Sequence, residues 1–210
     1  MNGKVPDNFG EEDMIILKRR QTEEPSVLSS GGWIYKIASK DRDVERLIIE
    51  HSIHVKIYSD PELQQYIPEP SNFFQFIGVW YFRMEKIQGQ TLKEASVPDM
   101  TAVTSEILRI IGLFNEKGIY HRDLNINNII MVTETEIKFI DFENSYHPDI
   151  RGVENIYYPV PQYPSHDVCI FMRSLGQKLR DPFDPFLAKY GKIMRAYEAE
   201  HKKHDKNVSS

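Results

Sequence analysis

Three polar residues between positions 123 and 141 could do chemistry together. His121-Arg122-Asp123-Leu124 leads to Asn128, five residues after Asp123, and then to Asp141-Phe142-Glu143. A carboxylate can orient an attacking hydroxyl and accept its proton. An amide carbonyl and a second carboxylate are hard oxygen ligands of the kind Mg²⁺ prefers. Asp123 is the candidate for the first task, and Asn128 and Asp141 are candidates for the second. Phosphoryl transfer asks a protein for little more than such positioning and charge stabilisation.

The elements that must position these groups are legible nearby. Ile129-Ile130-Met131 and Ile137-Lys138-Phe139-Ile140 are short apolar runs separated by polar Thr133-Glu134-Thr135-Glu136, the pattern of a β-hairpin. Such a hairpin folds Asp141 back beside Asn128. Upstream, Ser96-Val97-Pro98-Asp99 opens a helix on which Ile107, Ile110, Ile111 and Phe114 recur at helical spacing. Lys117-Gly118 then supplies a cation and a stop. Downstream, Ser165-His166-Asp167-Val168-Cys169 starts another periodic apolar helix, running through Leu179.

The stretch from Ile119 to Asn144 resembles the catalytic loop and metal-binding motif of the protein kinase superfamily, H-R-D-L-x-x-x-N followed by D-F-G. The resemblance implies an α+β, two-lobed protein-kinase-like fold with a small β-rich N-lobe and a truncated, mainly helical C-lobe. It assigns residues 1–26 to a leader, 27–88 to the nucleotide-binding lobe, 89–200 to the catalytic lobe and 201–210 to a polar tail. The implied cofactors are ATP and Mg²⁺, with the nucleotide in a cleft between the lobes. The implied reaction phosphorylates serine, threonine or tyrosine hydroxyls of a protein substrate.

Further roles follow from the same resemblance. Gly31-Gly32 stands in the place of the glycine-rich phosphate loop. Ile53-His54-Val55-Lys56 is similar to the V-A-I-K strand, so Lys56 is expected on a strand spanning 44–58, holding phosphates. On that strand Ile53, Val55 and Ile57 share one face, with Lys56 and Tyr58 on the other. Asp60-Pro61-Glu62 reads as a helix start, making Glu62 the expected partner of Lys56, with Glu69 behind it. Phe73–Gly78 and Trp80–Met84 read as paired strands leading to a hinge. There Met84 is the gatekeeper, and the backbone of Glu85 and Ile87 meets the adenine. Asp167 is the helix aspartate expected to bond the backbone of the H-R-D loop. Arg122 is expected to face a phosphate on the activation segment, for which Tyr146, Tyr157 and Tyr158 are candidate acceptors. A last helix is expected from about Pro185, burying Phe186, Tyr190, Ile193, Met194 and Tyr197.

The chain departs from the family pattern at several points. Glu143 replaces the glycine of D-F-G, and Asn125 stands where serine/threonine kinases carry a lysine two residues after the catalytic aspartate. No A-P-E motif follows, and about 43 residues lie beyond Asp167. D-F-E also occurs in choline-kinase and aminoglycoside-phosphotransferase relatives, so a small-molecule kinase is one rival reading. A pseudokinase that binds or inhibits another kinase is the second. In size the chain resembles minimal kinases of the RIO kind and small effector or viral kinases.

Composition bounds the remaining classes. With 210 residues, 40% hydrophobic and 27% charged, the chain has the make-up of an ordinary globular protein. A net charge of −5 argues against broad nucleic-acid binding. No apolar run approaches the length of a membrane span, and the N-terminus lacks the basic-then-apolar pattern of a secretory signal. The lone Cys169 cannot make an internal disulfide, which fits a reducing, cytoplasmic setting.

Overall fold

A five-stranded antiparallel sheet and one long helix make the first of two compact units, which divide between Ile87 and Gln88. The computed structural model describes residues 15–18, 26–150 and 164–179, with 195 and 199. The strands are β1 (Ile15–Lys18), β2 (Ser26–Ser30), β3 (Trp33–Ala38), β4 (Pro70–Phe76) and β5 (Val79–Glu85), in the spatial order β1-β2-β3-β5-β4. Two tight turns set the register. Gly31 and Gly32 (φ +53° and +82°) close β2 on β3, and Ile77 and Gly78 (φ +48° and +76°) close β4 on β5. Positive φ at both central residues is the hairpin turn whose twist matches the strands. Gly31-Gly32 is therefore the closure of a two-residue hairpin with Ser30 opposite Trp33. The segment joining β1 to β2, residues 19–25, lies outside the described residues and contains no glycine.

The first correction concerns residues 44–58. They form not a strand but most of helix α1 (Asp41–Tyr58). Their β-branched content suggests sheet, yet the buried positions Asp43, Leu47, Glu50, Ile53, His54 and Ile57 recur at three to four residues, the helical period. Asp41 and Asp43 in the first turn suit the positive end of the helix dipole. The buried face packs on the sheet, where Ala38, Leu47, Phe82 and Met84 form the core, flanked by Ile34, Val44, Phe73 and Trp80. His51 stacks on Phe73 with ring centroids 5.1 Å apart, and His54 lies 5.1 Å from Phe82. After α1 the chain turns through Asp60–Leu63 into a single 3₁₀ turn (Gln64–Tyr66), where a helix bearing Glu62 had been expected. Leu63 and Ile67 are buried there, but Pro68 halts further helix.

The second unit carries helix α2 (Met100–Glu116), a small sheet of β6 (Gln90–Thr91), β7 (Ile129–Met131) and β8 (Ile137–Phe139), and helix α3 (Pro164–Leu179). The Asp99 side chain caps α2 by accepting from the Ala102 amide at 2.9 Å. Val103, Thr104, Ile107, Ile110, Ile111 and Phe114 form its buried face. At the other end Gly118 takes φ +74°, while Ile119 N–H bonds Phe114 O and Gly118 N–H bonds Asn115 O. That pair of bonds is the Schellman stop, and it turns the chain at a defined angle into Ile119 and the loop beyond. Among the described residues no helix is long and apolar enough to cross a membrane. Phe186, Tyr190, Ile193, Met194 and Tyr197 of the helix expected from about Pro185 lie outside the described residues; Arg195, within it, is helical.

Replacing Asp99 by Ala removes the α2 cap, and the expected loss of stability is about 1 kcal/mol. Urea unfolding of the full chain measures it, with Asp99→Asn expected to stay close to wild type.

Candidate active site

The loop at residues 120–128 starts from the α2 stop and is fixed at three points. Tyr120 forms an antiparallel bridge with Tyr146, its N–H and C=O both bonded to that residue. The His121 and Arg122 amides donate to the two carboxylate oxygens of Asp167 on α3, at 2.8 and 2.6 Å. All three of these residues are buried. The His121 Nε2 lies 2.9 Å from the Ile140 carbonyl; a carbonyl only accepts, so Nε2 carries the proton. The His121 ring also packs on Phe142, centroids 4.5 Å apart, and Ser145 Oγ donates to His121 O.

Arg122 and Asp141 both adopt left-handed backbone, at φ +65° and +69°. Such conformations in residues with a Cβ are strained by about 1–3 kcal/mol each, persist only where surrounding bonds enforce them, and cluster at functional sites. The Asp167 clamp enforces the first. The guanidinium of Arg122 lies 4.8 Å from the Tyr146 ring, and its three nitrogens have no hydrogen-bond partner among the described residues. Burial lowers its affinity for its proton, while Asp167 and Tyr146 act the other way. Tyr157 and Tyr158 lie outside the described residues.

The hairpin expected from the two apolar runs forms, with Ile129 opposite Phe139 and Met131 opposite Ile137. Just beyond it the Ile140 amide bonds Asn128 O at 3.0 Å, so Asp141 follows directly on the residue paired with Asn128. Phe142 is fully buried and anchors the turn against Phe114 and His121. Asn128 Nδ2 donates to Asp123 O at 2.8 Å and more weakly to Asp123 Oδ2 at 3.3 Å. With Nδ2 facing two acceptors, the amide oxygen of Asn128 is the atom left for a cation. An amide oxygen beside a carboxylate is a hard donor set, which fits a divalent ion such as Mg²⁺.

The first unit holds a second constellation. Ile34, Lys36 and Ala38 share the face of β3 that meets α1. Lys36 Nζ lies 2.6 and 2.7 Å from the two carboxylate oxygens of Glu50, and both side chains are nearly or wholly shielded from water. A buried lysine stays charged only with such a partner. Met84 is buried on β5, and the Glu85 amide donates to Glu69 O, so the carbonyl is the Glu85 backbone group left for a ligand. Ile87 follows two residues on, at the end of the unit.

Comparisons with known proteins converge on one superfamily. A family model described as the kinase domain of the protein kinase OspG matches residues 51–154. The probable serine/threonine-protein kinase mkcF of Dictyostelium discoideum is 29% identical over 98 residues, 41% of this chain and 14% of the relative. The serine/threonine-protein kinase pakE of the same organism is 32% identical over 88 residues, 41% of this chain and 9% of the relative. The chain thus spans a small fraction of the curated relatives it matches. Among solved structures, the crystal structure of a kinase domain superposes with a TM-score of 0.53 at 17% identity, covering 66% of this chain and 52% of that one. Over about half its length the chain is similar to protein kinase domains, and its fold is kinase-like.

Within that superfamily the lysine that holds nucleotide phosphates sits on the third strand and pairs with a helix glutamate. Lys36 on β3 and Glu50 on α1 occupy those places. The expectation had placed these roles on Lys56, on a strand, and Glu62, at a helix start, and the structure has neither of those elements there. Lys56 is exposed on the last turn of α1, six residues past Glu50, and Glu62 is exposed in the turn after it. The missed signal was positional: Lys36 lies between Ile34 and Ala38 on one strand face, fourteen residues before an acid on a helix.

Asp167→Ala leaves two buried N–H groups without acceptors. A loss of roughly 2–5 kcal/mol is expected, read as a lowered urea midpoint, with a smaller loss for Asp167→Asn, which keeps one acceptor.

Proposed function

We propose that the chain is an ATP- and Mg²⁺-dependent protein kinase that phosphorylates hydroxyl groups of a protein substrate. The sense of the matched relatives' names favours serine or threonine. The observation that carries the reading is the union of Asp123, Asn128 and Asp141: Asn128 is hydrogen-bonded to Asp123 through Nδ2, and its carbonyl is bonded by the residue before Asp141.

In this reading the Asp123 carboxylate orients the acceptor hydroxyl and takes its proton as the oxygen attacks the γ-phosphorus. The Asn128 amide oxygen and the Asp141 carboxylate hold the divalent ion, which when bound neutralises charge on the nucleotide phosphates. Lys36 contributes a cation to the phosphates, and Glu50 keeps that cation aimed. The carbonyl of Glu85 and the amide of Ile87 bond the adenine edge, with Met84 behind it. Gly31-Gly32 closes a tight hairpin and contributes to nucleotide binding only through the register it gives β3. A single cysteine, the buried Cys169, can make no internal disulfide, which suits a reducing compartment, and we place the protein in the cytoplasm, acting on proteins and not on nucleic acid or membrane.

Two substitutions separate this reading from the one built on Lys56. Transfer of labelled phosphate from ATP to a generic protein substrate should fall at least a hundredfold in Lys36→Met and stay within about threefold of wild type in Lys56→Met. Asp123→Ala should reduce turnover by about 10²- to 10⁴-fold. Wild-type turnover in Asp123→Ala would end the proposal.

A further inference from the structure

Asn125 occupies the position where a serine/threonine kinase catalytic loop carries a lysine, and its amide is fully engaged. Nδ2 donates to Asp123 Oδ1 at 3.1 Å and to Asp123 O at 3.2 Å. Its Oδ1 accepts from the Asn127 amide at 2.9 Å and from Asn127 Nδ2 at 2.8 Å. The orientation is forced, because a flipped amide would set oxygen against the Asp123 oxygens and N–H against the Asn127 N–H. The backbone joins the same knot: Asn125 N–H bonds Asp123 O, and Asn128 N–H bonds Asn125 O. Asp123 is only half-buried, so packing alone does not lock its carboxylate. Its Oδ2 has the longer contact, 3.3 Å to Asn128, a residue whose amide oxygen is wanted elsewhere.

We propose that Asn125 is the positioning residue for Asp123: a neutral amide, itself locked by Asn127, holds the carboxylate in one rotamer and leaves its second oxygen for the acceptor hydroxyl. A lysine at this position would hold the same carboxylate but add a positive charge. An amide holds it without one, so charge stabilisation of the transferring phosphoryl group falls to the cations elsewhere in the machinery. The inference rests on the proposed phosphotransfer for its kinetic consequence, but the holding of Asp123 can be read without activity.

The test uses the full chain as wild type, Asn125→Leu, which keeps the size and removes the amide, and Asn125→Lys, which restores a donor. The three-bond Hα–Hβ couplings of Asp123 report its χ1 by NMR. Wild type and Asn125→Lys should show one rotamer, and Asn125→Leu averaged couplings with the thermal midpoint of unfolding little changed. In phosphotransfer, Asn125→Leu should lose about tenfold in kcat with KM for ATP within twofold, and Asn125→Lys should recover most of kcat. Averaged couplings in Asn125→Leu, together with a wild type that transfers no phosphate, would uphold the positioning role and count against the kinase reading. A single Asp123 rotamer in Asn125→Leu, or a loss confined to stability or to KM, would overturn the role assigned to Asn125.

Discussion

One carboxylate sets the geometry of the catalytic loop. Asp167 offers its two oxygens to consecutive amides, His121 and Arg122, in a buried setting where neither amide has water as an alternative. Such a bidentate grip fixes the direction of the peptide plane between them and holds Arg122 in its left-handed conformation. Everything that follows in the loop inherits that direction: Asp123, the Asn125–Asn127 knot and Asn128. The Schellman stop of α2 delivers the chain from one side, and the β7–β8 hairpin returns Asp141 from the other.

The first unit depends on a different kind of constraint. Lys36 and Glu50 are both buried, and taking two charges out of water costs several kcal/mol per ion before their attraction is counted. Such a pair is a poor way to gain stability and a good way to specify one arrangement. It ties β3 to α1 at a single point, because neither residue can be left without the other. A strand face that is otherwise apolar thereby presents a fixed cation.

How much of this was legible depended on whether the signal was local. The hairpin around residues 133–136 and the α2 stop at Gly118 are written in neighbouring residues, and each formed, whereas α2 starts after its Asp99 cap, later than the Ser96 pattern with Pro98 in the first turn suggested. Asp167 was legible through the family resemblance, on a helix that opens at Pro164, where a missing N–H costs nothing. Residues 44–58 misled because Val, Ile and Tyr favour strands locally, while their burial follows the helical period set by contact with the sheet. Lys36 was passed over for a related reason. Nothing in Trp33–Ala38 distinguishes a buried lysine from a solvated one until Glu50, fourteen residues on, is known to face it. The Gly31-Gly32 pair forms a tight β2–β3 turn, and two glycines make such a turn as readily as a ligand loop. Asn125 was visible as a departure from the family motif; its grip on Asp123 became apparent only from the amide geometry.

The central claim is that Asn128 and Asp141 form a divalent-ion site that binds nucleotide. Thermal unfolding with ATP, with and without Mg²⁺, on wild type and Asp141→Asn, tests it most directly. At a hundred times its dissociation constant the nucleotide should add about 2.7 kcal/mol to stability, with Mg²⁺ required and the gain lost in Asp141→Asn. No stabilisation at millimolar ATP and Mg²⁺, or a gain that is the same in Asp141→Asn, would contradict it.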